Sequence, residues 1–154
     1  MQTPEPLPPR PSERPAPRLP LGGVWGERLA WVAGLVLAIS SFTDWYSGSQ
    51  VDGLTLSVTG WHTGALGKLV FFVGLAVLIL EALREAGIEL PASIPESLVL
   101  IALGSLGTIF VLIRLISIPD TFFETAGRGI GLVISLLAAL AVIVAGLLRA
   151  AEEL

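Results

Sequence analysis

The 154 residues carry 13 acidic and 9 basic side chains, a net charge of −4, and only 14% are charged against 53% hydrophobic. A soluble domain carries roughly 25% charged residues, so most of this surface is expected to face something other than water. No cysteine is present, which excludes disulfides, thiolate metal sites and cysteine nucleophiles; the one histidine has no second ligand beside it for zinc, and no basic face suited to nucleic acid occurs.

Residues 1–21 read as a proline-rich cytoplasmic tail, with Pro4, Pro6, Pro8, Pro9, Pro11, Pro15, Pro17 and Pro20 in it. Proline fixes φ and has no amide to donate, so a disordered, extended segment is expected. The spacings Pro6 to Pro9 and Pro17 to Pro20 fit an aromatic groove, although a solvated leader is the plainer reading.

Residues 22–154 hold four apolar blocks, at Val24–Phe42, Leu66–Leu83, Ile94–Ile118 and Ile130–Leu148. Helices of this size reach roughly 27–37 Å, enough for a hydrocarbon layer of ~30 Å. The blocks are apolar on all sides, which suits helices in lipid. The expected fold class is therefore all-α membrane, a bundle of four transmembrane helices. Ala38-Ile39-Ser40 has the spacing of a signal-peptide cleavage site, but the long apolar run and the proline leader favour a retained span. Ser93-Ile94-Pro95-Glu96 predicts a capping box opening the third helix, Gly87 a stop for the second, and Pro119 a stop for the third.

The stretch from Thr43 to Gly64 is the longest loop. Leu54 to Thr59 alternates apolar and polar residues, the period of a half-covered strand. Asp52-Gly53 suits a tight turn, and the partner arm is expected near Ser47 to Val51. A small external β-hairpin between helices one and two follows, expected as a cap over helix ends, with a recognition surface or lid as the alternative. Ser41-Phe42-Thr43-Asp44 faintly echoes Ser117-Ile118-Pro119-Asp120, at the level of chance similarity between two membrane exits.

Arg114 lies four residues before Pro119, inside the outer boundary, where charge is costly. A candidate outer polar cluster is Arg114, Asp44, Asp120, Lys68 and His62, able to hold an anionic headgroup or an ion. The plainer reading is an arginine that snorkels to headgroups or ties the hairpin down. Glu81 shares a helical face with Arg84, so a local pair is expected. The midplanes of all four blocks lack ionisable groups, which argues against proton- or ion-coupled transport. Gly131, Ser135, Ala138, Ala141 and Ala145 form a small stripe on helix four. Gly104, Gly107, Ala102, Ser105 and Thr108 form another on helix three, and the two are expected to meet. No nucleophile motif appears, and Gly127-x-Gly129-x-Gly131 lacks the strand and GK[ST] ending of a phosphate loop.

Arg10, Arg14, Arg18, Arg28, Arg84 and Arg149 fall on one side of the spans, against Lys68, Arg114 and Arg128 on the other. That bias predicts both termini in the cytoplasm. Trp25, Trp31, Trp45, Tyr46, Trp61, Phe122 and Phe123 lie near the span ends, the depth at which amphipathic rings settle.

Asp44-Trp45-Tyr46-Ser47, the Ser-Val-Thr-Gly-Trp run ending at Trp61, and Arg114 to Asp120 carry a resemblance. From Val24 to Leu148 the chain resembles uncharacterised small four-helix integral membrane proteins of high-GC bacteria. That group has no assigned activity, so the resemblance implies the architecture and a bacterial inner-membrane location, and no mechanism. The expected function is a non-enzymatic accessory or scaffolding component, without catalytic residues, metal or cofactor. Its expected partners are the lipid bilayer and a second copy or another membrane protein, with no nucleic acid. Two alternatives remain open: a small oligomeric channel or transporter, and a membrane enzyme using Arg114, Asp44, Asp120 and His62.

Overall fold

A computed structural model describes residues 2–4, 21–49, 55–117 and 125–153. Most of the proline-rich tail, the Asp52-Gly53 turn, Pro119, Asp120, Phe122 and Phe123 lie outside the described residues.

The four apolar blocks fold as helices: α1 (Leu21–Ser40), α2 (Ala65–Glu85), α3 (Glu96–Ile116) and α4 (Ile130–Glu153). Among the described residues three of these, α2, α3 and α4, are long and apolar enough to cross a membrane. Each helix packs on the next in sequence and α4 closes back on α1. Ion pairs join Arg84 in the last turn of α2, and Arg149 near the end of α4, to the first turn of α3, so neighbouring helices run antiparallel. Buried side chains form two tiers: Ala30, Val77, Leu100 and Val142 towards one end, and Leu37, Val73, Val111 and Leu132 towards the other.

Helix ends show how local chemistry sets length. The Gly87 amide donates to the Arg84 carbonyl and the Ile88 amide to the Leu83 carbonyl. This paired pattern needs a left-handed residue after the last turn, and Gly87 takes φ +82°. The expected capping box does not form. Pro95 is the N-cap of α3 and receives no side-chain cap bond, because the Glu96 carboxylate turns towards Arg84 and Arg149 instead.

Small residues set the helix separations, though not in the pairing expected. A Cβ on Gly74 of α2 would lie 2.6 Å from the Ala38 amide nitrogen and 2.9 Å from the Gly34 carbonyl oxygen, so the α1 and α2 backbones touch there. On α3 the buried positions are Gly104 and Gly107, whereas Ala102 is exposed. A Cβ on Gly104 would meet the Ile143 amide nitrogen at 2.8 Å, so α3 does pack closely on α4. The α4 stripe faces α1 rather than α3. The Ser135 hydroxyl lies 2.7 Å from the Ser40 hydroxyl, and Gly26 of α1 packs beside Ala145. A 24-residue helix caught between two neighbours needs two small faces, and the sequence reading recognised one.

A three-stranded antiparallel sheet, order β2-β1-β3, covers the end of the bundle where α1 and α3 finish. Its strands are β1 (Asp44–Ser49), β2 (Thr55–Thr59) and β3 (Thr125–Arg128). The third strand, from the glycine-rich run before α4, was not anticipated. β1 begins earlier than the expected arm. Its pairing with β2 steps from Asp44↔Thr59 to Tyr46↔Val58, two residues against one. Strand side chains normally alternate faces, and this irregularity lets consecutive residues both turn inward. Trp45 and Tyr46 are accordingly buried at 0% and 1% exposure. Both lie just past the end of α1, as expected, but are enclosed by protein rather than exposed. The Trp45 indole nitrogen donates to the Ser40 carbonyl at 2.8 Å.

The Tyr46 hydroxyl donates to the Arg114 carbonyl at 2.6 Å, fastening the sheet to the end of α3. Tyr46→Phe should cost about 1–1.5 kcal/mol, the value of one such bond. The check is the melting temperature of the purified variant in detergent. An unchanged value would mean that the sheet is not anchored there.

Candidate functional site

Two polar regions stand at opposite ends of the bundle. The first lies at the end that the sheet covers, where the expected cluster residues fall. His62 is exposed, and its Nδ1 lies 2.7 Å from the Thr59 hydroxyl. Lys68 is exposed one turn into α2, with Nζ 5.6 Å from the centre of the Trp61 ring. Trp61 stacks on Phe42 and meets Phe71 edge-on, each at 5.4 Å between centroids. Arg114 is half-buried, and its guanidinium lies against Gly64, the residue before α2. Asp44 is exposed at the start of β1.

Chain folding brings Lys68, His62 and Arg114 to the region around the first turn of α2. Lys68 and His62 are engaged with Trp61 and Thr59 rather than with one carboxylate. Asp120 lies outside the described residues. Among the described residues no group of three His, Cys, Asp or Glu side chains could hold a metal ion.

The second region is the end opposite the sheet, and it holds the most deeply buried charges among the described residues. Arg149 of α4 reaches Glu81 of α2, its Nη2 donating to Oε2 at 2.6 Å, with the side chains 3% and 0% exposed. Glu96, the first residue of α3, places Oε2 3.7 Å from Arg149 Nη1 and 3.7 Å from Arg84 Nε. The local Glu81–Arg84 pair expected from spacing is therefore replaced. Glu81 is bonded across the bundle, and Arg84 faces Glu96.

This chain of two arginines and two glutamates sums to zero charge. Neutrality matters because a lone charge out of water costs several kcal/mol, whereas a hydrogen-bonded pair offsets much of that penalty. Glu81 Oε1 and Arg149 Nε and Nη1 are buried without a hydrogen-bond partner among the described residues. The geometry fastens three helix ends together.

Against known proteins, the chain matches no family, no curated protein and no solved structure.

Proposed function

We propose that this chain is a non-enzymatic, multi-pass protein of the bacterial inner membrane, a scaffold or accessory subunit that packs against a second copy or another membrane protein. All four helices span in this reading, with both termini cytoplasmic. One observation carries it: large apolar side chains point outward along the whole bundle. Leu35 and Ile39 on α1, Phe72 and Ile79 on α2, Ile109 and Ile116 on α3, and Val133 and Leu137 on α4 are all exposed. Water would not tolerate so continuous an apolar surface on a monomer of this size. α1 is included because its outward face matches those of α2, α3 and α4. Its only charges, Glu27 and Arg28, sit near its start.

A channel draws less support. Buried mid-bundle side chains among the described residues, such as Leu37, Val73, Val77, Ala139 and Val142, are apolar and packed. Ions need a polar lining through that depth.

The absence of native cysteine allows a clean topology test. We expect Glu89→Cys to react with a membrane-impermeant maleimide only after inside-out vesicles are made. His62→Cys should react in intact spheroplasts. Labelling of both positions from the same side would overturn the spanning arrangement. Co-purification in mild detergent tests the scaffold reading, which fails if the chain emerges alone and monomeric.

A further inference from the structure

α1 and α4 pack along a common seam, with Ala30, Ala33 and Leu37 of α1 in the same buried clusters as Ala138, Val142 and Ala145 of α4. At the outer end the Ser135 hydroxyl lies 2.7 Å from the Ser40 hydroxyl. At the inner end a Cβ on Gly26 would meet Leu148 Cβ at 3.5 Å and the Ala145 carbonyl at 3.6 Å. Along this seam runs an open groove of about 300 Å³, rimmed by Val32 and Val36 of α1 and by Ile134 and Leu137 of α4 over a floor of Ala138 and Ala141. That volume is at the lower end of ligand sites, ~300–1,000 Å³. Every side chain lining it is apolar.

Trp25 and Arg28 lie towards the inner end of this face. Trp25, 60% exposed, stands two turns before Val32 on the same side of α1. Arg28 is exposed one turn before Val32 and joins no ion pair among the described residues. Glu27 projects to the opposite side of the helix, within Coulombic range of Glu81.

We infer that the α1–α4 groove holds one acyl chain of an anionic phospholipid whose phosphate is met by Arg28. This rests on the reading of the helices as spans. An apolar trough open sideways to hydrocarbon suits an alkyl chain and has no donor or acceptor for anything else. An arginine with an indole at its inner mouth supplies charge and an amphipathic ring at headgroup depth. A second copy of the chain would bury the trough but would also set the two Arg28 side chains near each other in a symmetric contact.

The test is native mass spectrometry of the protein in mild non-ionic detergent, given phosphatidylglycerol or phosphatidylcholine. One phosphatidylglycerol should be retained per chain, in preference to phosphatidylcholine by about fivefold, the advantage of one basic residue near an anionic headgroup. Ala141→Phe fills the floor and should remove retention of both lipids. Val32→Trp closes the groove from its exposed rim, without touching the core, and should do the same. Arg28→Gln should keep retention and lose the preference. Retention unchanged in both blocking variants overturns the groove. An unchanged preference in Arg28→Gln overturns the headgroup contact. A wild-type dimer that Val32→Trp splits assigns the groove to a second copy and likewise overturns the proposal. Release of the chain from membranes by alkaline wash defeats the spanning reading, whereas a chain that stays embedded but retains no lipid defeats only the groove.

Discussion

Glu81→Ala should destabilise the folded bundle by about 3–5 kcal/mol, because it strands Arg149 as a buried charge. The distance of 2.6 Å and the near-complete burial of both side chains put this pair among those whose disruption is costly. Arg149→Ala should cost a similar amount by leaving the Glu81 carboxylate unpaired. Glu96 and Arg84 stand too far from direct hydrogen bonding, at 3.7 Å, to replace either partner. The double variant Glu81→Leu with Arg149→Leu should recover most of the loss, since replacing both charges by apolar groups removes the desolvation penalty along with the attraction. The measurement is reversible unfolding in mixed micelles on titration with a denaturing detergent. Two single variants costing less than about 1 kcal/mol each would place the pair in the range of exposed salt bridges and refute its burial.

Gly74→Val should be nearly as damaging, through sterics rather than charge. The first atom added meets α1 backbone, at 2.6 Å from a nitrogen and 2.9 Å from an oxygen. A flexible side chain could swing aside, but a helix backbone moves only as a whole. Overpacking of this kind costs about 1–3 kcal/mol, and the upper end is expected because separating α1 from α2 also parts the Val77 side chain from Gly34. Gly87→Ala makes the comparison. It meets no neighbour within 4 Å, yet φ is +82°, so it should cost only the ~1–2 kcal/mol of a left-handed residue. The same detergent titration would report whether Gly74→Val costs more than Gly87→Ala. A Gly74→Val cost below that of Gly87→Ala would show that backbone contact does not set the α1–α2 separation.

Hydropathy located the helices to within a few residues, because a run apolar on all sides needs no partner to declare itself. The Gly87 stop was legible for a similar reason: left-handed backbone after a helix favours one residue type. The third strand was hidden. Thr125 to Arg128 is short and bears no alternating apolar pattern, and its pairing with β1 joins residues about 80 positions apart. The burial of Trp45 and Tyr46 was not legible, because the strand begins before the expected arm and only the irregular step opposite Thr59 lets two consecutive residues turn inward.

The Glu81–Arg149 pair left a faint trace. Val70, Val77 and Glu81 fall on one stripe of α2, and Val142, Ala145 and Arg149 on one stripe of α4. A charge continuing a buried stripe invites a partner on a neighbouring helix. Spacing along one chain favoured Arg84, since sequence reasoning sees neighbours on the same helix before those across the bundle.

Composition and patterning alone determined that this chain builds four long apolar helices with charge confined to their ends. That outcome follows from local terms: residue hydrophobicity, helix length, and the backbone limits of proline and glycine. Tertiary structure decided which small face meets which helix, that Glu81 bonds to Arg149, that two aromatic residues turn inward, and where a groove opens along the α1–α4 seam. Each of those depends on two segments distant in sequence meeting at a few ångströms, and such meetings are set by the packing of the whole bundle rather than by any one stretch of it.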